Sequence, residues 1–157
     1  MPGENEIKEI LQKVSNYCIR GEKCELDIRK YLRSYDLNSE EIQYIINKLI
    51  SESFINEDRY AKAFINDKFK FNKWGKIKII NELKARNVNT GIIIKHINEI
   101  DKEDYLKTLE RLLIIKLNQV GNKDKQNRKA ALIRYGLSRG FEYEYIEKVL
   151  DRICEDE

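Results

Sequence analysis

The chain has 157 residues, 36% charged and 41% apolar, with a formal net charge of +3. That balance fits a heavily charged helical protein, and the longest apolar runs fall far short of the ~20 residues a membrane helix needs. Three cysteines without a C-x-x-C pair and a lone histidine, His96, argue against a disulfide scaffold and against a zinc site.

The first helix is predicted from near Glu4, because Ile7, Ile10, Leu11, Val14, Tyr17 and Cys18 recur at steps of three and four. Gly21 ends it, and a second helix is read over roughly 24–35. Asn38, with Glu41 three residues on, has the spacing of a reciprocal cap for a third helix through Leu49. Asn56 opens the fourth, with Glu57 and Asp58 at the positive end of the helix dipole. Tyr60, Ala61, Phe64, Ile65 and Phe69 form its inward stripe. Gly75 marks a break, a helix follows over about 76–86, and Asn87 suits a left-handed stop. Asn89 or Thr90 caps a helix through Ile100. Asp101 opens a long helix to Gly121, and helices near 123–136 and 142–154 complete the chain.

These elements repeat. Leu37, Ile42, Ile46 and Leu49 share their spacing with Val88, Ile93, Ile97 and Ile100, and again with Phe141, Ile146, Leu150 and Ile153. A period near 50 in a chain of this length points to an array of similar units. Such arrays expose long surfaces that grip partners. The fold class expected is all-α: three tandem three-helix repeats, at 4–52, 53–101 and 102–157, in an elongated, curved modular array. Each unit reads as long, medium and short helix. In the third, Gly136 stands where Leu32 and Leu83 stand in the others, so its middle helix is expected to end early or rotate.

Charge is uneven. Residues 59–86 hold nine bases against two acids, 123–139 hold six bases, beginning with Lys123, against Asp124, and 140–157 reverse to seven acids against two bases. Clustered bases attract phosphates or an acidic protein face. No G-x-x-x-x-G-K-[ST] loop and no G-x-G-x-x-G occur. No catalytic residue, cofactor site or metal site is read here, and the expectation is a non-enzyme. Cys18, Cys24 and Cys154 are read as reduced thiols, and Met1-Pro2-Gly3-Glu4 as no secretory signal, so a cytoplasmic protein is expected.

The stretch Phe54-Ile55-Asn56-Glu57-Asp58-Arg59-Tyr60-Ala61, followed by Lys73-Trp74-Gly75-Lys76, Leu83 and Arg86-Asn87-Val88, resembles the middle repeat of the RecX family. Leu26, Leu32 and Ile42 fit the first repeat, and Arg139-Gly140-Phe141 with Ile146 and Leu150 the third. Asn56 replaces a common Asp and Asn87 a common Gly, and both keep a cap or left-handed turn feasible. The resemblance implies a monomeric regulator that binds the RecA–DNA filament, bridges its protomers and lowers strand exchange, ATP hydrolysis and coprotease activity. It thereby implies roles in homologous recombination, DNA repair and the SOS response. Some members also bind DNA, single- or double-stranded.

Among the bases, Lys70, Lys73 and Lys76 are the candidate contacts in the middle unit, and Arg128, Lys129 and Arg134 in the third. A turn near Gly75 gathers some of the lysines between 68 and 78, which cannot share one face of a continuous helix. Trp74 either stacks on a nucleic-acid base, anchors a protein partner or packs over the helix junction, and Phe71 is expected in the core. Two other readings stay open: a DNA-binding helical module acting without the recombinase, and a helical scaffold with no nucleic acid involved.

Overall fold

The computed structural model describes residues 3–121 and 124–154. Lys123 and residues 155–157 of the third expected repeat lie outside the described residues. Within them the chain forms α1 (Glu4–Ile19), α2 (Glu25–Leu32), α3 (Ser39–Ser51), α4 (Glu57–Lys70), α5 (Lys76–Ala85), α6 (Thr90–Ile97), α7 (Lys102–Gln119), α8 (Lys125–Ser138) and α9 (Tyr143–Ile153), and no strand among the described residues. Every extensively packed pair of helices lies inside α1–α3, α4–α6 or α7–α9. The molecule is a helical repeat array.

Local chemistry sets the helix starts. The Asn38 side chain accepts the Glu41 amide at 2.8 Å, and the Glu41 carboxylate accepts the Asn38 amide at 2.9 Å. Asn56, Asn89, Asp101 and Asp124 accept the amide three residues on in the same way. The middle helices of the second and third units stop alike. Asn87 takes φ 61° and Gly140 φ 93°. The next amides, of Val88 and Phe141, reach back to the carbonyls of Leu83 and Gly136 at 3.1 Å.

Two expectations need correction. The middle helix of the third unit neither ends early nor rotates away, because α8 runs through Gly136 to Ser138. A Cβ at Gly136 would lie 2.7 Å from Ile146 Cδ1, so the missing side chain makes room for Ile146 from α9. The long, medium, short order also fails in the first unit, where α2 has 8 residues and α3 has 13. Asp36 stands where Asn87 stands one unit on, without a positive φ, and α2 ends in tighter i→i+3 bonds such as Tyr35 N–H to Leu32 C=O.

The apolar stripes bury into two cores, not three. Val14, Ile28, Leu32, Ile45, Ile46 and Leu49 centre the core of α1–α3. A second core is continuous through α4–α9 and includes Ile65, Ile79, Leu83, Tyr105, Leu132 and Phe141. Cys24 belongs to it, and Leu26 packs against it, so α2 plugs the larger core with its first turn.

Candidate partner-binding surface

The strongest basic stretch turns around residues 71–75. Lys73 adopts φ 58°, which folds the chain back and lets the Trp74 amide bond the Lys68 carbonyl at 3.0 Å. Trp74 then stands edge-on to Phe64, with ring centroids 6.5 Å apart. The ammonium of Lys68 lies 4.8 Å from the Trp74 ring centre and that of Lys78 lies 4.5 Å from it. Lys76 sits 4.9 Å from the ring centre of Tyr105. Lys70 and Lys73 are exposed, and the Lys73 ammonium reaches the Lys70 carbonyl.

These charges oppose local stability. Lys76 and Lys78 occupy the first turn of α5, which contains no acid, so both sit at the positive end of the helix dipole. Among the described residues, Lys68, Lys70, Lys73, Lys76 and Lys78 form no ion pair with a carboxylate. Ring faces offset part of that cost for three of them. Phe71, expected in the core, is instead 79% exposed, because the α4 helix ends beneath it and the turn carries it outward.

The surface belongs to two units. The orphan amides at the start of α5 are capped by the third unit. Gly75 N–H donates to the Arg139 carbonyl at 2.7 Å, Lys76 N–H to the Tyr105 hydroxyl at 2.9 Å, and Ile77 N–H to the Gly140 carbonyl at 3.0 Å. Tyr105 donates onward to Glu142, and burial pushes its hydroxyl far above the ordinary tyrosine range, which keeps the proton in place. The Arg139 guanidinium donates to the Asn72 carbonyl. Sequence reasoning includes Lys68 and Lys78 in the basic stretch without selecting them, and does not place Arg139 or Tyr105 here. The contacts span up to 67 positions, and the one local signal was the Arg139-Gly140-Phe141 match.

The other candidates lie elsewhere. Arg128 and Lys129 line a cleft of about 520 Å³ between α8 and residues Leu117, Leu150 and Cys154. Eleven residues of helix rise, roughly 16 Å, separate Arg128 from Arg139. Arg134 is exposed along α8. The structure therefore brings Lys70, Lys73, Trp74 and Lys76 to one turn and places Arg128 and Lys129 at a separate cleft, with Arg134 exposed on α8 between that cleft and Arg139.

At the first junction, Arg86 Nη1 donates to the Tyr60 hydroxyl at 3.0 Å and lies 3.8 Å from Asp27 of α2, with its guanidinium over Phe64. Arg59 pairs with Glu22 at 3.1 Å. Burial raises the Cys24 thiol above its ordinary value, so it stays protonated and donates to Asp27. His96 is buried between two carboxylates, with Nε2 3.1 Å from Asp58 and Nδ1 3.1 Å from Glu99. No cluster that could hold a metal ion occurs among the described residues. No helix of those residues is long and apolar enough to cross a membrane.

Fold and surface thus define a helical repeat protein with an exposed basic turn shared by two of its units. A family model described as RecX, second three-helix domain, matches residues 56–94. The regulatory protein RecX of Clostridium acetobutylicum is 30% identical over 135 residues, covering 83% of this chain and 62% of that protein. That of Clostridium perfringens is 28% identical over 163 residues, covering 97% of this chain and 76% of the relative. The chain thus spans about three fifths of the Clostridium acetobutylicum relative's length. The crystal structure of RecX from Lactobacillus salivarius superimposes with a TM-score of 0.85 at 20% identity, covering 96% of this chain and 97% of that one. The family model and the relatives together support the RecX family for this chain.

Proposed function

We propose that this chain is a cytoplasmic, monomeric, non-enzymatic regulator that binds the RecA–DNA filament and inhibits its recombinase, ATPase and coprotease activities. It thereby modulates homologous recombination, DNA repair and the SOS response. In this reading, units 4–52, 53–101 and 102–157 form a curved grip that needs no cofactor. The observation that carries it is the set of five lysines at the α4–α5 turn that have no carboxylate partner among the described residues, two of them set against the α5 dipole. A fold seeking stability alone gains nothing from that arrangement, whereas a binding surface does. Bridging two protomers of a filament adds avidity, because the second contact is made at high effective concentration.

The experiment is a titration of this protein into a recombinase–single-stranded DNA ATPase reaction. The rate falls at substoichiometric protein if the reading holds, and an unchanged rate at equimolar protein refutes it. The same lysines favour a second reading, a DNA-binding module acting without the recombinase, because ammonium groups exposed without acids also suit phosphates. That reading requires tight binding to bare DNA that weakens steeply with salt, and it loses its support if Lys70→Glu, Lys73→Glu and Lys76→Glu together leave bare-DNA binding unchanged.

A further inference from the structure

Four large apolar side chains reach solvent along the seam between α4–α6 and α7–α9. Phe71 is 79% exposed, Tyr143 51%, Leu137 46% and Ile77 44%. Hydrogen bonds to the main chain bring the segments that carry them to one seam. Ile77 N–H bonds the Gly140 carbonyl, Gly140 N–H bonds the Leu137 carbonyl, and Tyr143 follows Gly140 by three residues. The Arg139 guanidinium on the Asn72 carbonyl brings Phe71 to the same rim. Single exposed apolar residues are ordinary, but several gathered at one seam mark an interaction surface.

The rim is basic. Lys70, Lys73 and Arg139 form no ion pair with a carboxylate among the described residues. Glu142 is engaged by Tyr105, which leaves Glu144 as the acid of the first turn of α9. An apolar centre inside a charged rim is the anatomy of a protein–protein interface. A nucleic acid suits this seam less well. Bases stack on aromatic faces, and Ile77 and Leu137 offer none, while the Trp74 ring is already approached by the ammonium groups of Lys68 and Lys78.

We propose that the seam between the second and third units, and no single repeat, is the docking surface for a protein partner that presents carboxylates around an apolar socket. The inference rests on the reading above, in which that partner is the recombinase filament. It adds that the face is assembled across Gly75 and Gly140, with Phe71 and Leu137 as its anchors.

The test uses the full chain with Phe71→Ser and Leu137→Ser together, and separately with Lys70→Glu and Lys73→Glu. All four positions are exposed, so circular dichroism melts are expected to match the parent, and if the apolar pair unfolds the chain the charge pair carries the same test. Affinity for recombinase filaments on single-stranded DNA, read by biolayer interferometry, is expected to fall about tenfold or more for each pair, the range for losing interface anchors. Affinity for the same DNA without recombinase is expected to change less than about twofold. Filament affinity unchanged in both variants overturns the seam and leaves the inhibitor reading standing. An equal loss on bare DNA makes the surface a nucleic-acid site and also overturns it. So does a parent dimer that either variant converts to monomer, since a second copy then occupies the face. A parent chain that fails to bind the filament refutes the inhibitor reading, and this proposal with it.

Discussion

The junction between α1–α3 and α4–α6 is tied by charged side chains, whereas the junction between α4–α6 and α7–α9 is tied by main chain and core. At the first, Arg86 spans Tyr60 and Asp27, Arg59 holds Glu22, and Cys24 with Leu26 supplies a small apolar plug. At the second, amides of α5 donate directly to carbonyls of the α8–α9 turn, and one core runs through both units. Long side chains tolerate small displacements and are screened by salt, while backbone bonds over a packed core admit one register. The second and third units therefore behave as one body, and the first is attached to it by a softer joint. A repeat period in the sequence does not reveal this, because the periodic residues are the ones each unit uses internally.

The sharpest way to break the comparison is Gly140→Ala. Gly140 has φ 93°, and a Cβ there would lie 2.3 Å from Lys78 Cβ and 2.8 Å from its amide nitrogen. Both the positive φ and the overlap are destabilising, by roughly 2–5 kcal/mol together. Urea unfolding followed by Trp74 fluorescence measures that loss. Hydrogen exchange is expected to show α4–α9 loosening together while amides of α1 and α3 keep their protection. Independent opening of α4–α6 and α7–α9 in the parent chain contradicts the shared core.

The first junction responds more weakly. Arg86→Met keeps an unbranched side chain of similar reach but removes the cation over Phe64, the donor to Tyr60 and the charge beside Asp27. A loss of about 1–2 kcal/mol is expected, from one hydrogen bond and a partly exposed ion pair. Raising salt from low to molar concentration narrows the difference between parent and variant, because the charge component is screened. A salt-independent difference assigns the joint to packing instead.

Much of this architecture was legible before the structure. The Asn38–Glu41, Asn56 and Asp101 caps form as their spacing implies, and Asn87 takes the left-handed turn that closes α5. Those features are local, so residue type and spacing specify them. The α8 helix was misjudged at Gly136 because its space is filled by Ile146, ten residues away and on another helix. The positive φ of Lys73 carried no glycine to announce it, and that one angle folds Trp74 back while leaving Phe71 outside. Charge alone singles out Lys70, Lys73 and Lys76 in the sequence. Lys68 and Lys78 were weighed and passed over, although they are the residues on the Trp74 ring.

The smallest expected effect concerns α4 and α6 within the second unit, and it sharpens the contrast by testing a charged tie away from either junction. The hydrogen bond from His96, helped by the Lys95 ammonium, holds the Asp58 carboxyl below its ordinary range. A carboxyl whose value is depressed on folding stabilises the fold when ionised in both states, so its contribution is complete above the unfolded value of roughly 3.9 and shrinks as pH falls through the folded value. Asp58→Asn removes the titration but keeps a group of similar shape. Urea midpoints compared between parent and variant are expected to differ above about pH 5 and to converge as pH falls below about 4. The parent is the more stable protein in the upper window. A difference that persists unchanged into strong acid shows instead that the Asp58 contact acts through its shape and hydrogen bonding alone, as a neutral amide would.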